Sequence, residues 1–364
     1  MPKRNIIVVG ASTGGFEALK VLVAGFPADL DAAVLIVWHM AAQVPGILPQ
    51  VLDRVGSVNA KQAEDGEHVN FNQIYVAPPD QHLIIENDII RTTRGPKENR
   101  FRPAVDPLFR SAAYSYGPRV IGVVLSGALD DGTAGLWTIK RYGGLAVVQH
   151  PDDAEVPSMP ESAMKEIDVD HAVPIAEMAD LLVRTSSQEV TVAEVAMKKD
   201  EKTEFEVKTA AEDHAQEGGI MNFGSVTPYT CPDCHGVLFE LTDGPSIRRF
   251  RCHTGHAFSA DSLLSALTEN IEDSVWTAIR AIEESVLLLN QMGTYLADNN
   301  HTERSALYFR KAFEAEDRIE KLRQVVFSHE HLNNEILTRR SDGNGGRITK
   351  KDDQIGLETK RGTL

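Results

Sequence analysis

Between residue 4 and about residue 186, short runs of β-branched residues alternate with stretches of helical periodicity. Parallel strands need long crossovers to return to the same sheet edge, so this alternation restricts the segment to an α/β sheet with helices as connections. The runs Asn5 to Ala11, Val34 to His39, Ile74 to Ala77, Val120 to Ser126, Leu145 to Gln149 and His171 to Val173 read as strands. His82 to Arg94 reads instead as a hairpin inserted among the βα units, because two alternating runs meet at Asn87-Asp88. The expected fold class is α/β, a doubly wound and mostly parallel sheet with an inserted hairpin. A small Cys/His zinc module and an α-helical hairpin are expected to follow.

The pattern divides the 364 residues into five parts. Residues 1–187 form the α/β domain. Residues 188–226 read as an acidic flexible linker, because from 188 to 219 they hold nine acids and four bases with Phe205 as the single aromatic. Residues 227–260 carry all three cysteines. Residues 261–332 read as a helical hairpin: Leu264, Leu267, Ile271, Val275, Ile279, Ile282, Val286 and Leu289 form one apolar stripe, and Phe309, Phe313, Ile319, Leu322 and Val326 the other. Residues 333–364 lack periodicity and read as a disordered tail.

A net charge of −16 would repel nucleic acid and anionic lipid over most of the surface, so neither is an expected partner. No apolar run approaches the roughly 20 residues of a membrane-spanning helix, and Ile6 to Val9 is too short for a secretion signal. A cytoplasmic protein without membrane insertion is expected.

The first strand runs into Gly10-Ala11-Ser12-Thr13-Gly14-Gly15, where a helix begins. A glycine turn beside a helix N-terminus suits either a bound phosphate or a serine nucleophile whose oxyanion meets N–H groups. The spacing departs from G-x-G-x-x-G. The second strand ends in Trp38-His39-Met40, where a ribose-binding acid would stand in a dinucleotide site, and Asp31 precedes that strand. His39 is placed as a general base instead. A third strand leads into Ser126-Gly127-Ala128-Leu129-Asp130-Asp131-Gly132-Thr133. One acid there, Asp130, is available to cap the following helix, and Asp131 to accept a hydrogen bond from the histidine. Serine, histidine and aspartate at three strand ends make a nucleophile, a base and an orienting group.

These runs, together with Ala63-Glu64-Asp65-Gly66-Glu67, Tyr75-Val76-Ala77-Pro78 and Arg102-Pro103-Ala104-Val105-Asp106, occur in the order found in a known family. Over about residues 4 to 186 the chain resembles the chemotaxis protein-glutamate methylesterases, of the CheB-type catalytic domain. The resemblance implies catalytic roles for Ser12, His39 and Asp131. It also implies hydrolysis of glutamate methyl esters on chemoreceptors, with glutamine deamidation as an accompanying activity, and no cofactor for catalysis. Two departures stand out. Ala128-Leu129 replaces the Met-Gly that family members often carry. The phosphoacceptor receiver that opens well-known members is not seen before residue 5, so activation by phosphorylation within the same chain is not expected.

Cys231-Pro232-Asp233-Cys234 and, 17 residues on, Cys252-His253-Thr254-Gly255-His256 form two knuckles. Soft thiolates with one imidazole suit tetrahedral zinc, and Cys231, Cys234, Cys252 and His256 would close a structural Zn2+ site. His235 and His253 adjoin ligating cysteines, which makes them awkward alternatives. Arg248, Arg249 and Arg251 read as a solvated basic strand face. The helical hairpin is open to two readings, an ordinary two-helix core or an oligomerisation and docking element. The leading functional expectation is a methylesterase acting on a methylated chemoreceptor or a related carboxyl-methylated protein. The alternative is a non-catalytic signalling adaptor that binds partners through the α/β domain and the zinc and helical module.

Overall fold

A computed structural model describes residues 2–40, 46–190, 200–211, 219–244 and 246–328. Seven parallel strands form the main sheet: β1 (Ile6–Ala11), β2 (Ala33–Trp38), β3 (Asn59–Gln62), β4 (Gln73–Val76), β7 (Val120–Val124), β8 (Leu145–Gln149) and β9 (His171–Val173), in the order β3-β4-β2-β1-β7-β8-β9. The strand β3 escapes a search for apolar runs because Asn-Ala-Lys-Gln sits at the sheet edge with one face in solvent. The hairpin β5 (His82–Glu86) and β6 (Ile89–Thr93) turns at Asn87-Asp88 as expected, and it forms a separate two-stranded sheet.

Each strand of a doubly wound sheet sends alternate side chains to opposite faces. On one face Ile7, Val9, Ile121 and Val123 pack with α1 (Gly15–Ala24), α2 (Leu48–Val55) and α6 (Ile175–Ser186). On the other, Ile6, Val8, Leu35 and Val124 pack with α3 (Val105–Tyr116), α4 (Thr133–Arg141), α5 (Ser158–Glu166) and the hairpin. The order reverses between β1 and β7, and at such a switch point the two connections leave in opposite directions and open a crevice at the strand carboxyl ends.

Within 188–226, the described residues depart from the linker expectation. Gln188 and Val190 hydrogen-bond to the chain's own start at Arg4 and Pro2, and Glu201–Ala210 forms a helix, α7, capped by Asp200. Its acidic composition suggested solvation, yet Glu206 is buried and accepts from Arg249 at 2.7 and 2.8 Å and from Arg251 at 3.1 Å. Those arginines come from a four-stranded antiparallel sheet, β10 (Ser225–Thr230), β11 (Val237–Asp243), β12 (Ile247–Cys252) and β13 (Ala257–Ser259). The solvated face read from Arg248-Arg249 and Arg251 is therefore corrected. Residues 249 and 251 point inward by the two-residue period, and Arg248 alone stays outside on Glu240. Arg251 also donates to Glu98, which holds Arg110 of α3 from its other oxygen.

Two long helices follow, α8 (Ala260–Asp298) and α9 (Thr302–Phe327). Their contact pairs Ile279, Ile282, Val286 and Leu289 with Ala312, Ala315, Ile319, Leu322 and Val326. Phe309 and Phe313, expected in the stripe, are 41% and 73% exposed; the small Ala312 and Ala315 occupy the seam and let the helices close. The sheet-proximal end, Leu263, Ala266 and Leu267, packs on the cysteine module instead. The expected tail 333–364 lies outside the described residues, and no described helix is long and apolar enough to cross a membrane.

Removing one partner from a buried ion pair strands the other charge away from water. Glu206→Ala should cost about 3–5 kcal/mol, read as a lower denaturant midpoint, with Arg248→Ala on the exposed side within about 0.5 kcal/mol as the control. Equal midpoints for the two variants would contradict the buried network.

Candidate active site

The three residues singled out at strand ends meet at the switch point. Ser12 follows β1, His39 follows β2 and Asp131 lies beyond β7, so the three central strands deliver them to one crevice. His39 Nδ1 lies 3.2 Å from Ser12 Oγ, and His39 Nε2 lies 2.7 Å from Asp131 Oδ2. With Nε2–H donating to the carboxylate, Nδ1 keeps its lone pair toward the serine. The ring is stacked on Phe101, centroids 3.9 Å apart and 11° between planes, which fixes its tilt.

Glycines set the nucleophile turn. Gly14 sits at φ 75° as the cap of α1, and a Cβ there would stand 2.6 Å from Ser126 Oγ. At Gly127 a Cβ would stand 2.0 Å from Met159 Sδ and 2.8 Å from Ser12 Cβ, so only glycine lets this loop pass over the serine. Ser12 N–H donates to Ser126 O at 3.0 Å, and Trp38 Nε1 donates to Ser12 O at 2.9 Å, tying the turn to the neighbouring strand ends. Leu129, of the Ala128-Leu129 pair, stands at a glycine-like φ of 62°. Held by its neighbours, such a residue carries strain of roughly 1–3 kcal/mol.

Asp131 lies at the N-terminus of α3. Its Oδ2 accepts from Val105 N–H at 2.7 Å as well as from His39, and its Oδ1 accepts from the Asp106 and Gly132 amides. Burial opposes the charge, but the His39 bond and charge, the Val105 amide and the Asn99 amide hold the carboxyl below its ordinary value. Helix N-terminal amides stabilise an anion there. Asp106, one residue into that helix, is pushed the other way, up to about 7, by burial and then by the charge of Asp131. Sequence reasoning missed Asn99, Val105 and Asp106 as partners of the acid, since Asn99 lies 32 positions from Asp131 in an unpatterned loop. It also gave Asp130 a capping role. The cap of α4 is Gly132, and Asp130 instead accepts from Ser259 Oγ at 2.6 Å, across the seam to β13.

The second predicted cluster also assembles. Ligand atoms of Cys231, Cys234, Cys252 and His256 all lie within 4.8 Å of one another. Cys234 Sγ is 3.7 Å from Cys252 Sγ, and His256 Nδ1 is 3.6 Å from Cys252 Sγ and 3.8 Å from Cys231 Sγ. Ligands about 2.3 Å from one tetrahedral ion stand about 3.7 Å apart, so the cluster has the dimensions of a cradle for a single metal. Both knuckles are closed by backbone bonds, His235 N–H to Cys231 O and Cys252 N–H to His256 O. The alternatives His235 and His253 stand outside the cluster.

A doubly wound sheet with serine, histidine and aspartate hydrogen-bonded in series at its switch point has the architecture and geometry of an α/β serine hydrolase. Residues 7–182 match the family model described as CheB methylesterase. A Leptospira interrogans protein is 38% identical over 179 residues, 49% of this chain and 93% of that protein. Relatives from Methanosarcina mazei, 38% identical over 189 residues, and Pyrococcus horikoshii, 34% over 188, are matched over 50% of this chain and 52% and 51% of theirs. The archaeal pair are named protein-glutamate methylesterase/protein-glutamine glutaminase, and the Leptospira protein carries that name provisionally. The crystal structure of the Thermotoga maritima CheB methylesterase catalytic domain is 33% identical, with a TM-score of 0.47 over 50% of this chain and 98% of that one. The chain belongs to the CheB methylesterase family. It spans about half the length of the archaeal relatives, and its residues beyond 182 lie outside the family match.

Desolvation, then the like charges of Asp261, Asp106 and Asp131, push Asp130 up to about 8 against the Ser259 bond. Folding therefore takes up a proton at this group between about pH 4, where the unfolded carboxyl ionises, and pH 8. Its contribution to stability falls as pH rises through that window. Asp130→Asn should raise the melting temperature at pH 8 relative to wild type by more than at pH 4.5, and an equal change at both pH values would refute the assignment.

Proposed function

We propose that this chain is a protein-glutamate methylesterase, a carboxylic ester hydrolase acting on methylated chemoreceptors, and that Ser12, His39 and Asp131 carry the reaction. The observation that supports the roles most directly is the chain Ser12 Oγ, His39 Nδ1, His39 Nε2, Asp131 Oδ2 at 3.2 and 2.7 Å. His39 Nδ1 takes the Ser12 proton as Oγ attacks the ester carbonyl. The imidazolium formed then gives that proton to the departing methoxy group, and methanol leaves the acyl-serine. Water attacks next, His39 takes its proton, and return of that proton to Ser12 Oγ releases the glutamate carboxylate. An amide in place of the ester would release ammonia by the same steps, which is the glutaminase activity in the relatives' names. Asp131 fixes the tautomer and stabilises the imidazolium without itself taking the proton.

Ser12→Ala should lower methanol release from methylated receptor by at least roughly 10⁴-fold while leaving the folded chain intact. Wild-type turnover in that variant would overturn the nucleophile. The adaptor alternative predicts the opposite result, binding without any methanol in the wild type.

The domain reading proposed alongside keeps residues 1–187 as the hydrolase domain and assigns the cysteine module a structural Zn2+ held by Cys231, Cys234, Cys252 and His256. The ion would replace a larger apolar core, which a module of this size cannot supply. Purified protein should contain one equivalent of zinc per chain. A chain with none after growth in zinc-replete medium would dismiss the metal.

A further inference from the structure

We infer that Asn99 is a positioning residue for Asp131 and that the metal-loaded cysteine module is what holds Asn99 in place, making the C-terminal half a working part of the hydrolase site. The inference rests on the triad and zinc readings above.

Asn99 is 4% exposed, and every polar atom of its side-chain amide is used. Nδ2 donates to Asp131 Oδ1 at 2.9 Å and to Asp106 Oδ2 at 3.1 Å. Oδ1 accepts from the Ser259 N–H at 2.8 Å and from Ser262 Oγ at 3.1 Å. One side of the amide therefore serves the α/β domain and the other serves β13 and the first turn of α8. The backbone is clamped in the same way: Asn99 N–H donates to Ala257 O at 2.8 Å and Ala257 N–H to Lys97 O at 3.1 Å. Asn99 and Arg100 both stand at positive φ, 48° and 75°, a conformation that non-glycine residues keep only when their surroundings impose it. On the α/β side Glu98 holds Arg110, and on the module side it holds Arg251. Arg100 reaches Ser265 and Glu269 of α8.

The metal cradle governs the module's half of this clamp. Cys252 and His256 bracket a three-residue turn, His253-Thr254-Gly255, and His256 runs directly into β13 with Ala257 and Ser259, the residues that grip Asn99. Ser259 caps α8 through the Ser262 N–H and holds Asp130 with its hydroxyl. A metal bound to Cys252 and His256 fixes the turn, the turn fixes β13, and β13 fixes the amide that orients the acid of the triad. Loss of the ion would free that turn and leave the strained 99–100 pair without its outer support.

The test compares the full-length wild type with Asn99→Ala, Ser262→Ala, Cys234→Ser and the Asn99→Ala/Cys234→Ser double variant. Each is measured for zinc content, for kcat and KM of methanol release from a methylated chemoreceptor fragment, and for amide hydrogen exchange over residues 97–101. Asn99→Ala should lower kcat roughly 10- to 100-fold with KM within about twofold, because orientation and not binding is lost. Ser262→Ala should keep its zinc and lose a smaller factor in kcat. Cys234→Ser should lose zinc, speed exchange over residues 97–101 and lower kcat, and the double variant should be no slower than the worse single one. Zinc-free Cys234→Ser with wild-type kcat and exchange, single effects that multiply in the double variant, or Asn99→Ala that changes KM alone would each overturn the inference. A wild type that releases no methanol would sink the proposed function instead, and exchange over residues 97–101 unchanged by zinc removal would then still overturn the coupling.

Discussion

A buried ion pair between Glu98 and Arg251 joins the α/β domain to the cysteine-bearing sheet, close to where Ser12, His39 and Asp131 meet. Glu98 belongs to the loop that leads into α3, whose first amides hold Asp131; Arg251 belongs to the strand that ends in Cys252 of the Cys/His cluster. Around them, Arg110, Arg249, Glu206 and Asp243 extend the network, so three arginines face three carboxylates out of water. Such a network contributes little net stability against a well-packed apolar alternative, but its directional bonds admit few registers, and breaking any pair strands a charge. It specifies how the halves meet.

The same economy governs the crevice. A carboxylate as buried as Asp131 persists as an anion only where several donors converge, and here they are an imidazole, three backbone amides and one carboxamide. Asp106 and Asp130, close by and with fewer compensating donors, have their carboxyls raised to about 7 and about 8. Three neighbouring acids are thus sorted by their environment, with one kept charged beside the histidine.

The legible parts of the fold were those with local signals. The β-branched runs located β1, β2, β4, β7, β8 and β9, every strand of the main sheet but one, and the turn dipeptide Asn87-Asp88 located the hairpin. The edge strand β3 went unseen because a four-residue segment with one apolar side chain has no period to detect. The helix Glu201–Ala210 was hidden for a different reason: its acids resemble a solvated linker until the arginines that neutralise the buried Glu206 are known, and those lie more than 40 residues away. Phe313 misled in the opposite sense, since a large apolar residue suggests a seam position, yet it is 73% exposed and Ala312 and Ala315 on either side of it form the seam.

By itself the sequence determined the parallel α/β scaffold, the delivery of Ser12, His39 and Asp131 to strand ends, and the four residues that gather in the Cys/His cluster, because each is written in short-range spacing. Tertiary structure alone decided which histidine nitrogen faces the serine, which acid is held charged, and that a loop residue, Asn99, bridges the acid to the C-terminal half. Those outcomes depend on hydrogen bonds and charges brought together from distant segments, and a one-dimensional pattern has no term for a contact between residues whose separation it does not constrain.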